Sequence, residues 1–281
     1  MALVSSQEML TDAYKNGYAV AAFATHNLEI MQAVVEGAEE LGAPIIFQTT
    51  PSTIRYIGLE YMVAMARAAA EKANVPIALH LDHGDSYEIV AQCIRAGYTS
   101  VMIDGSHLPF ADNVALVQKV VELAHAVGVP VEAELGMIGG VEDDLFVEEA
   151  DATYTDPEAA ETFVAETGID FLAPAFGTAH GTYKEEPKLD VARLKAISER
   201  VSIPLVMHGA SGVSEESVRR SLSYGISKIN ISTELRAPFA SELRRYLIAH
   251  PDATDPRKYS VPAREAVKAI VKQKIQMVHP D

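Results

Sequence analysis

Eight short apolar runs recur along this chain, each followed by a segment with the 3.6-residue period of an amphipathic helix, and that alternation leaves few folds open. The runs are 18–23 (YAVAAF), 44–48 (PIIFQ), 76–81 (PIALHL), 99–103 (TSVMI), 130–135 (PVEAEL), 169–174 (IDFLAP), 204–208 (PLVMH) and 226–231 (ISKINI). They are continuous rather than alternating, and Gly, Pro or Asn bounds them, as expected of strands buried on both faces. The helical segments are 28–41, 60–73, 86–96, 112–127, 156–166, 189–200, 214–224 and 233–249, with cap signals at Asp112, Asp156 and Ser214. Eight strand–helix repeats predict an α/β fold, the closed (β/α)8 TIM barrel. An open doubly wound sheet would carry a glycine-rich fingerprint after its first strand, where this chain reads FATHNLE. An extra N-terminal helix is expected over 5–16 and a C-terminal helical tail over 262–277, after TDPRKYS. No linker-like stretch divides residues 1–281, which read as a single domain.

The composition narrows the function classes. With 48% hydrophobic residues but 7% aromatic and no Trp, the core must be mainly aliphatic. The one cysteine, Cys93, excludes an intrachain disulfide, fits a reducing compartment and reads as an inert buried thiol on a helix. The first residues lack the basic and apolar regions of a signal peptide, and no apolar run reaches the ~18 residues a bilayer span requires. These features predict a cytoplasmic protein without membrane contact. A formal charge of -16 excludes nucleic acid as a partner, since binding it needs basic surface to displace counterions. An anionic metabolite stays open, because charges are screened over ~8 Å and a local cluster of donors can outweigh a distant field.

Ionisable residues collect at the C-terminal ends of the strands, where barrel active sites lie. The third strand ends in Asp82 and His83, the fourth in Asp104, the fifth carries Glu132 and Glu134, the sixth leads to His180 and the seventh ends at His208. Three imidazoles with an open fourth position suit a catalytic metal site, and hydrogen-bonded barrel-end histidines are the alternative. Of the other histidines, His107 could compete as a ligand, but SHLPF reads as a helix start packing outward. His26 could reach the mouth, and His125, His250 and His279 suit solvated or capping roles. Asp82 is either an acid/base group or an acceptor that orients a ligand. Adjacent strand residues point to opposite faces, so Asp82 and His83 share a cavity only if the chain turns there. Asp104, Glu132 and Glu134 form a carboxylate patch able to hold a second metal position or orient the histidines. For Glu132, pairing with a basic residue is an equal alternative.

Two connections are long for a barrel, 136–155 and 175–188. The first carries Gly139 and Gly140 before the acidic run Glu142-Asp143-Asp144, which is either solvated or part of a loop that closes over the mouth. HGASG (208–212) and NIST (230–233) end the seventh and eighth strands with exposed backbone N–H groups and with Ser211, Ser232 and Thr233 hydroxyls, at the place where barrels bind phosphate; a plain tight turn is the alternative.

Nearly end to end, the chain resembles the class II, metal-dependent ketose-bisphosphate aldolases, which act on fructose or tagatose bisphosphate. The motifs that carry the resemblance include HNLE, LHLDHGD, SVMIDGSH, VEAELG with GGVEDD, EADATYTDP, TGIDFLAPAFGTAHGTYK, PLVMHGASG, KINISTEL and TDPRKY. HGASG and EADATYTDP are closer to the tagatose branch, GTYKEEP and DPRKYSVPAREAVK to the fructose branch. The resemblance implies Zn2+ held by His83, His180 and His208, with Asp104 and Glu134 able to hold a second or displaced zinc position. It implies Asp82 as acid/base at the C4 oxygen and Glu142 in proton transfer at the triose carbon. It places the dihydroxyacetone-phosphate half on Gly181, Gly209, Ala210, Ser211, Asn230, Ile231, Ser232 and Thr233, beside a monovalent cation (Na+ or K+). Arg257 would reach the other phosphate from a neighbouring subunit of a homodimer or homotetramer. The chain departs from the pattern at Ala24, where Asn is usual, and at Gln48, where a small residue is usual. Both are expected to border the substrate mouth, which leaves open an aldolase for a related ketose such as a deoxy-keto-gluconate phosphate. A noncatalytic sugar-phosphate-binding protein on the same scaffold is the alternative from another class.

Overall fold

The computed structural model describes residues 2–142, 145–147, 152–181, 183 and 186–279, with only the backbone described at 141, 142 and 145–147. Eight parallel strands close into a barrel: β1 (Val20–Ala24), β2 (Ile45–Thr49), β3 (Ile77–Gly84), β4 (Ser100–Ile103), β5 (Val131–Leu135), β8 (Phe171–Pro174), β10 (Leu205–Met207) and β11 (Ile226–Ile231), which pairs back to β1. The connection from β5 to β8 holds a ribbon of β6 (Gly139–Glu142) and β7 (Leu145–Val147), and β9 (Ala179–His180) pairs with β6. The predicted barrel and all eight of its strands are present. The structure adds strand pairing inside both long connections, which had read as loop.

Around the barrel lie α2 (Leu28–Leu41), α3 (Pro51–Ile57), α4 (Leu59–Lys72), α5 (Tyr87–Ala96), α6 (Phe110–His125), α7 (Pro157–Thr167), α8 (Val191–Ser198), α9 (Glu215–Leu222) and α10 (Thr233–Ala249). They are flanked in sequence by α1 (Ser6–Asn16) and α11 (Pro256–Val278). Side chains of Asn27, Ser86, Asp156, Asp190 and Ser214 accept from backbone N–H groups of the first turns they precede. Each such cap contributes about 1 kcal/mol. The cap expected at Asp112 is not one: α6 starts two residues earlier, after Pro109, and Asp112 lies in its first turn, where a negative charge still favours the helix N-terminus. The tail helix also starts early. PRKYS is helical rather than a lead-in, because Asp255 caps it and Pro256 fits the first helical position. Helix α3 was not anticipated; Thr50 caps it and Pro51 opens it, a seven-residue helix too short for a periodic signal.

The strands bury both faces. Outward-facing residues such as Ile45, Phe47, Leu79 and Ile229 pack under the helices. Inward-facing Val20, Ala22, Ile46, Ala78, Phe171, Ala173 and Val206 form a second cluster with Met9, Leu10 and Ala13 of α1, so that the first helix fills the end opposite the strand C-termini. Full burial of a side chain the size of Phe171 stabilises by roughly 1.5–3 kcal/mol. Above this apolar layer the interior becomes polar. Gln48, His80, Asp82, Ser100, Glu132, Lys228 and His208 are all fully buried, and that change of chemistry along the barrel axis locates the site.

Candidate metal and active site

A backbone irregularity resolves how Asp82 and His83 share one cavity. The β3–β4 register shifts between Leu81 and Gly84, and His83 has φ +46°, the left-handed region. Such a conformation costs a non-glycine residue about 1–3 kcal/mol and persists where the surroundings impose it. Here it turns both side chains inward, where strict alternation would have separated them. Asp82 Oδ1 accepts from Asn230 Nδ2 at 3.1 Å, and Asp82 Oδ2 has no hydrogen-bond partner among the described residues.

His83, His180 and His208 converge. Their ring centroids are 4.7–5.9 Å apart, and one nitrogen from each lies within 4.8 Å of the others. Carboxylates hold two of the rings from behind. Asp104 Oδ2 pairs with His83 Nδ1 at 2.7 Å, which leaves Nε2 as the nitrogen able to bind a metal, and Glu132 Oε1 pairs with His208 Nε2 at 2.8 Å, which leaves Nδ1 able to do so. Metal-binding imidazoles are oriented in this way, with the second nitrogen fixed by an acceptor. The donor set therefore fits a divalent ion of the zinc class. A second group, His83, Asp104 and Glu134, also brings one potential ligand atom from each residue within 4.8 Å of the others, and it shares His83 with the first.

The electrostatics agree with this geometry. Burial pushes the Asp104 carboxyl up, but the His83 bond and charge and the contact with Ser106 prevail and hold it well below the usual range. Burial also opposes Glu132, yet Lys228, His80 and His208 together hold it down. Glu134 goes the other way, raised by burial and by the charge of Asp104. His180 is kept neutral by burial and by the two neighbouring imidazoles. His208 is disfavoured as a cation by burial, but bonds to Glu132 and Glu134 raise it to about 9. His208 thus lies between two carboxylates, with Nδ1 3.2 Å from Glu134 Oε2.

Beside the histidines, a cavity is lined by His180, Gly181, Gly209, Ser211, Asn230, Ser232, Thr233 and Arg236. The first turn of α10 opens onto it without a side-chain cap, leaving backbone N–H groups for an anion. Ser232 N donates to Ser211 Oγ at 3.2 Å and ties the loops after β10 and β11 together. Gly209, at φ +61°, packs so tightly on the Ala179 backbone that a Cβ would collide with it. Tyr183 clasps the same segments, its hydroxyl accepting from Ala179 N at 2.6 Å and donating to Gly209 O at 2.8 Å.

A model of the class II fructose-bisphosphate aldolase family matches residues 4–280. The chain belongs to the class II fructose-bisphosphate aldolase family. The D-tagatose-1,6-bisphosphate aldolase subunit GatY of Klebsiella oxytoca is 51% identical over 277 residues, covering 99% of this chain and 98% of that protein. The crystal structure of the YdjI aldolase from Escherichia coli K12 matches with a TM-score of 0.87 and 33% identity, over 99% of this chain and 98% of that one. A fructose-bisphosphate aldolase from Campylobacter jejuni, 21% identical with a TM-score of 0.82 over 99% of this chain and 95% of that one, shares the fold. This chain is thus an aldolase, a carbon–carbon lyase.

In this aldolase the structure draws together Asp82, His83, Asp104, Glu134, His180 and His208, all of which the sequence singled out. Gly181, Gly209, Ser211, Asn230, Ser232 and Thr233 line the adjoining cavity, while Ala210 and Ile231 are buried and do not line it. Arg257 is elsewhere in its own chain, in the first turn of α11, with its side chain 89% exposed and paired to Asp255. The backbone of Glu142 ends β6, next to the His180-bearing β9, but its side chain is outside the described residues, as are Asp143 and Asp144. Gln48 does not border the mouth. It is fully buried in register with Ala24 and His80, one inward-facing layer beneath Asp82. The sequence reading missed Lys228, His80, Ser100 and Arg236. Period-two pairs were the available signal: ALHLDH places His80 with Asp82 on one strand face, and SKIN places Lys228 with Asn230. Other readings hold: His107 is exposed, His125 pairs with Asp170 at the surface, and burial pushes the Cys93 thiol up to about 12. No helix among the described residues is long and apolar enough to cross a membrane.

Proposed function

We propose that this aldolase reversibly cleaves ketose 1,6-bisphosphates, both tagatose and fructose, to dihydroxyacetone phosphate and glyceraldehyde 3-phosphate. The observation that carries this reading is the convergence of three imidazoles within ligand reach, with the buried Asp82 carboxylate beside them. His83, His180 and His208 would hold zinc, which would supply a Lewis acid for the substrate ketone. Asp82, through Oδ2, takes the C4 hydroxyl proton as the C3–C4 bond breaks, and Asn230 fixes the other carboxylate oxygen. Glu142 delivers the proton that C3 needs once the aldehyde has left. Asp104 and Glu134 serve a displaced zinc position that shares His83. The cavity from Gly181 to Arg236, with the start of α10, binds the triose phosphate; Ala210 and Ile231 contribute through backbone, and a monovalent cation, Na+ or K+, neutralises charge nearby. Arg257 serves a neighbouring protomer of a homodimer or homotetramer in the cytoplasm. Of the two departures that motivate the deoxy-keto-gluconate alternative, Gln48 is buried beneath the site, which leaves Ala24 to support it.

The test is a panel of phosphorylated ketoses assayed with and without exhaustive chelation. Both bisphosphates should be cleaved, with kcat/KM values within about 10²-fold, the scale of one or two hydrogen bonds. Full activity after chelation would overturn the metal assignment, and cleavage of neither bisphosphate would overturn the substrate class.

A further inference from the structure

Directly beneath the three histidines lies a third group of potential metal ligands, His80, Asp82 and Glu132, all buried, with one ligand atom from each within 4.8 Å of the others. One imidazole and two carboxylates suit the same divalent ions as the upper cluster. This lower cluster already has a cation. Lys228, also fully buried, sets its ammonium 2.9 and 3.2 Å from the two oxygens of Glu132 and 3.5 Å from His80 Nε2. The far side of His80 is fixed by Ser100, which bonds Nδ1 at 2.7 Å and is itself held by Ser6 of α1 at 2.8 Å. Asp82 Oδ2 remains without a hydrogen-bond partner among the described residues, close to this group.

An ammonium in a barrel core is costly to desolvate, and a well-packed apolar side chain in its place is often as stable. The geometry gives the lysine a purpose. We infer that Lys228 is a built-in cation that occupies a latent lower metal site, His80–Asp82–Glu132, and so confines a divalent ion to the histidines above. Its positive charge satisfies Glu132 without coordinating it. Glu132 thereby stays the acceptor for His208 Nε2, 2.8 Å away, and the His208 Nδ1 lone pair is directed at the upper site. With no metal below, neither oxygen of Asp82 is drawn into a lower coordination shell. Only this last consequence rests on the proposed role of Asp82 in proton transfer; the metal count does not.

The experiment is zinc stoichiometry, measured by elemental analysis after gel filtration and by competition with a chromophoric chelator, on full-length wild type and Lys228→Ala. Lys228→Ala should bind one zinc per chain more than wild type, and adding His80→Ala should remove that extra equivalent. Lys228→Arg, which keeps a cation, should match wild type. A folded Lys228→Ala with the wild-type zinc count would overturn the inference. So would a Lys228→Ala chain that stays unfolded in excess zinc, because a metal should then replace the missing ammonium. If wild type itself bound no zinc, the metal-centre reading above would fail, while the difference between variant and wild type would still report on the lower cluster.

Discussion

Replacing Asp82 by Asn separates proton transfer from structure, because the substitution keeps the shape and removes the basic oxygen. The carboxylate has one committed oxygen, bonded to Asn230 Nδ2 at 3.1 Å, and one that accepts no hydrogen bond from a described residue. An asparagine amide oxygen can keep the bond to Asn230, so the structural loss is that of a charged acceptor exchanged for a neutral one. That costs about 1 kcal/mol, or roughly 2–4 °C in Tm for a chain of this size. Zinc content should match wild type, since the three imidazoles and the carboxylates behind them, Asp104 and Glu132, are untouched. The loss of a positioned general base is far larger, about 10²–10⁴ in turnover. At about 1.36 kcal/mol per decade this is roughly 2.7–5.4 kcal/mol of transition-state stabilisation. A cleavage assay coupled to reduction of dihydroxyacetone phosphate gives kcat, elemental analysis gives zinc and thermal melting gives Tm. Turnover within tenfold of wild type, with zinc bound, would refute the role in proton transfer. A variant that loses zinc in proportion to activity would show instead that Asp82 is structural support for the metal site.

Other residues make independent claims. His208→Ala should lose zinc and at least ~10³ in rate, read by elemental analysis and turnover, because it removes a ligand on which Glu132 and Glu134 both converge. In metal-free protein, His208 is raised from 6.5 to about 9, so its stabilising contribution is complete below pH 6.5 and fades as pH rises through about 9. Urea melts should accordingly show the stability gap between metal-free wild type and His208→Ala narrowing across that window, and a pH-independent gap would count against the Glu132–His208–Glu134 arrangement. Glu142→Ala should slow exchange of the triose carbon proton with solvent while zinc stays bound; an unchanged exchange rate would return Glu142 to a solvated surface role. Ala24→Asn should widen the preference between the tagatose and fructose epimers beyond the wild-type value, since it adds an amide able to bond one sugar hydroxyl. A kcat/KM ratio unaltered by the substitution would place epimer recognition elsewhere.

The sequence by itself determined the barrel, because eight continuous apolar runs alternating with amphipathic segments can bury both strand faces in few other ways. It also singled out most of the residues that the fold gathers in the candidate site. His83, Asp104 and His208 stand at or just past strand C-termini, and that position is set by where each apolar run ends. What local pattern could not decide was which buried groups meet across the barrel. Glu132 bonds His208, 76 residues away, and Lys228, 96 residues away, so its choice between orienting a histidine and pairing a base had no answer in VEAE alone. The structure shows that it does both. The left-handed turn at His83 was equally invisible, since strict strand alternation would have sent Asp82 and His83 to opposite faces. Gln48 was misplaced for a related reason: its rank along β2 was plain, but its depth relative to Asp82 depends on β2–β3 register, which barrel closure sets. Strand identity is a local property of side-chain hydrophobicity, whereas the charge balance of this site is a property of the closed sheet, in which β3, β5, β10 and β11 turn their polar side chains toward one axis.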